Sequence, residues 1–290
     1  MSKIVSFFLW NVRGLGQSSR CDDVLSELIS TRPSIAALQE TKLPALNSQK
    51  RRTFLPARLS SYVARGSSSA SGGILTAWDA AVCSLSSTVD LPHTLTTGFS
   101  LLADNMPFTL SNVYAPTLRE DKAAFLSELA SGAEMVSGAW MLLGDFNLTR
   151  CPEDKNNANY CAPEADRFNE LINSLGLIEI PLVDRAFTWS NRRDCPTLVR
   201  LDRCFINLDW DASFPNTALS SLTRFASDHV PLSISACTRI PRSNCFRFEN
   251  SWLLNRQFPS VIQSALAETV SGHTAKSFVQ RLKHCRGACY

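Results

Sequence analysis

The sequence predicts an α/β fold on three observations, and its length suits one large domain with an appendage as well as two small domains. The apolar runs Ile4–Trp10, Ile35–Leu38 and Met141–Leu143 have the length of buried strands and fall short of a core helix. Stretches with apolar residues at helical spacing lie between such runs. The 290 residues are 44% hydrophobic and 19% charged, an ordinary globular composition in a chain long enough to bury a sizeable core.

The elements follow in order. Ile4–Trp10 reads as a strand buried on both faces, ending in the loop Asn11–Gly16. Ser18 or Ser19 can cap a helix whose apolar face is Val24, Leu25, Leu28 and Ile29, with Arg32-Pro33 ending it. Ile35–Leu38 is the next strand and terminates in Gln39-Glu40-Thr41, so a strand–helix–strand unit places Asn11 and Glu40 at neighbouring strand ends. Residues 44–72 are polar and Ser-rich, which predicts a surface loop. Shorter strands follow from Gly73, near 82–88, 98–103 and 108–114, an antiparallel portion. Thr117 can cap a helix to about Val136, with Ala124, Phe125, Leu126 and Leu129 on its core side. Trp140–Leu143 is a further strand, followed by a polar loop over 150–162. A helix opened by Pro163 and Glu164 carries the stripe Phe168, Leu171, Ile172 and Leu175, with Gly176 placed for its C-terminal cap. Phe187–Asn191 and Leu198–Ile206 read as a hairpin pair, and Leu232–Ala236 as a closing strand. A helix-like stretch occupies 257–270.

Composition excludes some functions. No stretch approaches the about 20 apolar residues of a membrane span, and the run Ile4–Trp10 lacks the small-residue cleavage site of a secretory signal. The ten cysteines include no C-x-x-C pair, which predicts free thiols in a reducing compartment rather than a disulfide framework. Cys285, Cys289 and His284 lack a second ligand pair at zinc spacing. Net charge is +3, unevenly spread: residues 237–290 hold eight Lys/Arg against two Asp/Glu, leaving a mildly acidic body and a basic tail compatible with a polyanion. Lys50-Arg51-Arg52 is too short to count as a nuclear signal.

Polar residues collect where apolar runs end: Asn11, Glu40, Tyr114, Asp145 with Asn147, Asp202, and Asp228 with His229. Asp145 and Asn147 stand two apart, so in an extended segment their side chains face one space. The same Gly144–Asn147 segment reads equally as a turn. Together these residue types supply a carboxylate for a divalent metal, groups that orient a nucleophile and an acid/base pair, which is what metal-assisted phosphodiester cleavage needs.

The motifs Trp10-Asn11-Val12-Arg13-Gly14, Gln39-Glu40-Thr41, Asn112–Pro116, Gly144-Asp145-Phe146-Asn147, Arg200–Arg203 and Ser227-Asp228-His229, in this order, resemble the series of the endonuclease/exonuclease/phosphatase superfamily. The wording, with Phe187–Asn191 and the segment Phe246–Trp252, is similar to the endonuclease of plant LINE-type non-LTR retrotransposons. The resemblance implies a four-layer α/β sandwich over residues 1–237, two packed mixed sheets flanked by helices. It implies that 238–290 is a basic connector leading to a reverse transcriptase in a parent polyprotein. It further implies a Mg2+-dependent DNA endonuclease, with Mn2+ as a possible substitute, nicking double-stranded target DNA in the nucleus. In that series Glu40 is the main metal ligand, with Asn11 adjacent. Asp145 positions or deprotonates the attacking water, while Asn147 holds the water or the scissile phosphate. Tyr114 contacts the phosphate. Asp202 orients His229, which bonds a phosphoryl oxygen or accepts a proton. Asp228 completes the metal side or supports that pair, and Trp189 falls on the DNA-contacting side. One departure stands out: Arg13 occupies the place where repair members carry a second acid, so it either pairs with Glu40, touches a phosphate or faces outward. Two other functions fit the same chain, a phosphomonoesterase acting on small phosphoesters and a catalytically decayed remnant that binds nucleic acid.

Overall fold

A computed structural model describes residues 4–67, 72–223, 227–238, 257–267 and 285. The chain divides into two compact units, Met1–Ile240 and Pro241–Tyr290. The first contains β1 (Ile4–Asn11), α1 (Ser18–Thr31), β2 (Ile35–Gln39), α2 (Ser48–Arg51), β3 (Ser61–Arg65), β4 (Ile74–Trp78), β5 (Cys83–Leu91), β6 (Thr94–Leu101) and β7 (Pro107–Tyr114). It continues with α3 (Lys122–Ala133), β8 (Trp140–Asp145), α4 (Ala162–Ser174), β9 (Ile178–Glu179), β10 (Trp189–Ser190), β11 (Leu198–Val199), β12 (Asp202–Ile206), α5 (Leu208–Ser213), β13 (Asn216–Ser221) and β14 (Leu232–Cys237). The second unit has one described helix, α6 (Phe258–Ala267). The Phe246–Trp252 segment, Cys245, Cys289 and His284 lie outside the described residues. Among the described residues no helix is long and apolar enough to cross a membrane.

The strands form two six-stranded sheets, in the orders β13-β14-β1-β2-β4-β3 and β5-β6-β7-β8-β12-β9. Both are mixed, with the same plan. A central parallel pair, β1/β2 in the first and β7/β8 in the second, is flanked by antiparallel neighbours. Parallel neighbours need a crossover, and α1 and α3 supply it. Their ends therefore carry the loops Asn11–Gly16 and Glu40–Leu43 on one sheet and Ala115 and Phe146 onward on the other.

Alternation along the strands builds three cores. Val5, Phe7 and Leu9 of β1 point between the sheets, where they meet Met141 and Leu143 of β8, Cys204 and Ile206 of β12, and Trp210. Phe8 and Trp10 point outward onto Val24 and Leu28 of α1. Leu142 and Phe205 face outward from the second sheet onto Phe125 of α3 and Phe168 of α4. Helix, sheet, sheet and helix thus make the four-layer sandwich, and the doubly buried strands are the ones whose sequences are nearly all apolar.

Several elements differ from expectation. Of the expected loop 44–72, residues 44–67 contain α2 and the edge strand β3, with Phe54, Leu55 and Leu59 buried against the first sheet, and 68–71 lie outside the described residues. The α3 helix starts at Lys122, not Thr117, because residues 117–121 turn after Pro116. Gln17, not a serine, stands at the start of α1 and makes no side-chain cap bond. The hairpin is limited to the two-residue strands β10 and β11. After Val199 the chain leaves it, and β12 joins β8 in the second sheet. By contrast Gly176, with φ +62°, takes the left-handed position after α4.

Candidate active site

Strand register brings the polar strand ends together. Asn11 pairs with Gln39 across β1/β2, and Glu40 is the next residue. Asp145 pairs with Tyr114 on one side and with Asp202 on the other. Gly144 makes the first of these neighbours possible. A Cβ there would lie 2.0 Å from the Val113 carbonyl oxygen, and its φ of +152° is one that side chains rarely adopt.

His229 sits in the loop before β14, held at several points. Its backbone N–H donates to Ser227 Oγ (3.1 Å), Ser227 Oγ donates to the Asn11 carbonyl (2.8 Å), and Trp10 Nε1 donates to the His229 carbonyl (3.1 Å). Its ring Nδ1 lies 2.9 and 3.1 Å from the two oxygens of Asp202, leaving Nε2 3.7 Å from Asp145 Oδ2. The three side chains are buried. Burial works against the charged imidazolium, but the carboxylates of Asp202 and Asp145 outweigh it and push His229 up to about 9. Burial also raises Asp145, to about 6, against the opposing charge of His229 and a hydrogen bond from Asn11.

Asp145 is surrounded by donors. Asn11 Nδ2 donates to Oδ2 at 2.9 Å, the Asn147 backbone N–H to Oδ1 at 3.1 Å, and Asn147 Nδ2 to Oδ2 at 3.3 Å and to the Ala115 carbonyl at 2.9 Å. Asn147 thus shares a space with Asp145 as expected, but not through extended backbone. Its φ is +47°, so a tight turn folds the carboxamide back. The segment is thus the turn of the second reading, and it still brings Asn147 against Asp145.

Glu40 carries the other half of the site. Arg13 Nη1 lies 3.2 and 3.0 Å from its two carboxylate oxygens, and Lys42 Nζ lies 3.0 Å from Oε1. Burial would raise the carboxyl, yet Lys42 and Arg13 hold it below the usual carboxylate range. Of the three options for Arg13, the pairing with Glu40 is the one observed. Its Nε also lies 3.2 Å from Asp228 Oδ1, while Asp228 Oδ2 accepts Trp189 Nε1 at 3.0 Å. Asp228 therefore faces Arg13 and Trp189, and bears on His229 only through its field. The Tyr114 hydroxyl bonds Glu40, and burial together with the Glu40 and Asp145 charges raises it.

Three contributors escape sequence reasoning. Lys42 has no motif to mark it. Thr188, fully buried, accepts the backbone N–H groups of Leu201 (3.1 Å) and Asp202 (3.0 Å) on Oγ1, fixing the carboxylate that holds His229. Arg203, also buried, binds Glu179 at 2.7 Å and Asp154, and Arg150 binds the same Glu179 at 2.6 Å, pinning the segment after Asn147 to β12. The signal for Arg203 was its place beside Asp202 in an apolar strand.

The donor sets differ in what they can ligate. Ligand atoms of Asp145, Asp202 and His229 lie within 4.8 Å of one another. An imidazolium has no free lone pair, however, and Asp202 is committed to it. Glu40 with the Asn11 carboxamide oxygen offers hard oxygen donors of the kind Mg2+ takes. Two cationic groups already converge on Glu40, which marks where this fold holds positive charge. The residues present fit a divalent ion there, with one carboxylate.

Comparison with known proteins agrees with this architecture. The chain is 29% identical over 167 residues to a transposon TX1 149 kDa protein of Xenopus laevis, covering 54% of this chain and 12% of that one. The chain thus spans a small part of that relative's length. An AP endonuclease of Leishmania major superposes with a TM-score of 0.65 at 16% identity, over 81% of this chain and 88% of that one. The endonuclease domain of TRAS1, a telomere-specific non-LTR retrotransposon, superposes at 0.60 with 13% identity, over 81% and 98%. At such identities the two structures establish the fold. The resemblance to retrotransposon endonucleases rests also on the transposon relative. Residues 8–229, from the first strand to His229 itself, match one family throughout, and the chain belongs to the Endonuclease/Exonuclease/phosphatase family.

Proposed function

We propose that the protein is a Mg2+-dependent DNA endonuclease that nicks double-stranded target DNA for a non-LTR retrotransposon. The observation that carries this reading is His229 set between two buried carboxylates, Asp202 on Nδ1 and Asp145 towards Nε2. At neutral pH His229 holds its proton, so it serves as donor to a phosphoryl oxygen, and Asp145, ionised above about 6, is the base. Asp145 takes a proton of the attacking water as the water's oxygen bonds phosphorus and the bond to the leaving oxygen breaks, the leaving oxygen departing as a hydroxyl that takes its proton from solvent. Asn147, tied to Asp145 Oδ2, holds that water or the phosphate in line. Tyr114, beside Glu40, donates to the phosphate. Glu40 and Asn11 would hold the ion, which supplies Lewis-acid neutralisation of the charge on the phosphoryl oxygens. Trp189 and Arg13 line the approach from the Asp228 side. A reverse transcriptase domain of a longer polyprotein is the expected partner, and action on chromosomal DNA places the protein in the nucleus.

A 5′-labelled DNA duplex, incubated with the protein and Mg2+, is expected to be cut. Cutting should vanish in EDTA and in His229→Ala. Release of phosphate from inositol phosphates without any strand cutting would overturn the reading in favour of a phosphomonoesterase.

A further inference from the structure

Five of the seven non-glycine residues with left-handed backbone among the described residues, Arg13, Glu40, Lys42, Asn147 and Arg192, lie in or beside the motifs of the site. Three of them form one cluster. Arg13, Glu40 and Lys42 stand at φ +54°, +54° and +53°, in two adjacent loops whose backbones bond each other, Val12 N–H to the Gln39 carbonyl and Leu15 N–H to the Thr41 carbonyl. Such conformations are strained for residues that carry a side chain, and here they bring two cations onto one carboxylate. The cations reach Glu40 from the solvent side. Their side chains are 43% and 35% exposed, whereas that of Glu40 is 3% exposed. Arg13 also donates its backbone N–H to Asn11 Oδ1 at 3.1 Å, so it touches Glu40, Asn11 and Asp228, the three residues expected on the metal side.

We propose that Arg13 and Lys42 are exchangeable counter-ions of Glu40, and that this exchange makes a divalent ion and a nucleic-acid phosphate bind with positive coupling. The inference rests on the endonuclease reading for its ligands. With the side chains paired as observed, Glu40 and Asp228 are balanced by Arg13 and Lys42. An incoming divalent ion competes with both cations for Glu40; once displaced, Lys42 has no carboxylate and Arg13 keeps only Asp228. A phosphodiester supplies that partner, since guanidinium and ammonium groups bind phosphate oxygens well. The ion thereby raises affinity for the phosphate, and by reciprocity the phosphate raises affinity for the ion; typical couplings are about 5–150-fold.

The test uses the full chain and two readouts. Mn2+ binding without nucleic acid, followed by the paramagnetic resonance of the free ion, is expected to tighten at least fivefold in Arg13→Gln and Lys42→Gln. Arg13→Lys, which keeps the charge, should stay near the parent. Arg13→Asn serves as the second variant, because asparagine tolerates left-handed backbone, and circular dichroism checks each fold. Anisotropy of a labelled duplex, in a His229→Ala background to stop cleavage, is expected to show Mn2+ tightening DNA at least fivefold with Arg13 present and less than twofold with Arg13→Gln. Folded Gln and Asn variants that bind Mn2+ no tighter than the parent, or a DNA coupling unchanged by Arg13→Gln, would overturn the proposal. The Mn2+ titration involves neither DNA nor turnover. Intact nicking with unchanged Mn2+ affinity therefore defeats this inference alone, and tightened Mn2+ without nicking defeats the endonuclease reading alone.

Discussion

Replacing Asp202 by asparagine removes one charge from a buried pair while keeping the shape. In the protein His229 Nδ1 lies within 3.1 Å of both Asp202 oxygens, and the ring is raised from 6.5 to about 9. That lift corresponds to about 3 kcal/mol favouring the imidazolium. Without Asp202, burial opposes the charge and Asp145 remains as the nearest counter-ion, so His229 should titrate near or below 6.5. At pH 8 the parent ring is then about nine-tenths protonated and the variant ring only a few per cent, a difference of about 30-fold in the proton-donating form. Nicking rates measured from pH 5.5 to 9.5 should show a deficit of at least about 30-fold at pH 8, shrinking several-fold at pH 5.5, where both rings hold the proton. The stability consequence has a definite sign. A folded value above the unfolded one contributes fully below about 6.5 and is lost as pH rises through about 9, so Asp202→Asn should flatten that alkaline loss. A deficit equal at both pH values, with His229 still titrating near 9 by proton NMR, would refute the reasoning.

Three further outcomes are expected. Asp145→Asn removes the base and the acid limb near pH 6, so the residual rate should fall by at least about 100-fold and lose its dependence on pH between 5 and 7. Gly144→Ala places a Cβ 2.0 Å from the Val113 carbonyl oxygen, forcing β7 and β8 apart; urea unfolding should show a loss of at least about 3 kcal/mol. Arg203→Met leaves Asp154 and Glu179 short of a buried partner, and should cost about 3–5 kcal/mol in the same assay.

The legible parts of this fold were the doubly buried ones. β1, β2 and β8 are apolar on both faces because a second sheet covers one side and helices the other, so sequence alone displays them. β13 could not be read that way. It is an edge strand with one buried residue, Leu219, in the polar run Asn216–Ser221. The α5 helix is only six residues long, although its signal was present: Asn207 caps it by accepting the Trp210 backbone N–H at 2.9 Å, and Trp210 is buried. In 44–72 the serines and arginines hid Phe54, Leu55 and Leu59, which fasten the segment to the first sheet. At the site, the proximity of Asn11, Glu40, Asp145, Asp202 and His229 was foreshadowed because each lies at or near the end of an apolar run. The sequence left Arg13 three options, and the structure shows the pairing with Glu40. Lys42 was not legible, because its role depends on a left-handed turn that no local residue preference announces. That His229 stands between two carboxylates likewise was not legible, since it depends on distances between separate strand ends.

We propose that this site hydrolyses DNA phosphodiesters with a divalent ion and the Asp145–His229–Asp202 group. Relaxation of supercoiled plasmid tests it most directly. Open-circular product is expected with Mg2+, with none in EDTA and none from Asp145→Ala or His229→Ala protein that retains the parent's circular dichroism. Equal nicking by those folded variants, or by the parent in EDTA, would contradict it.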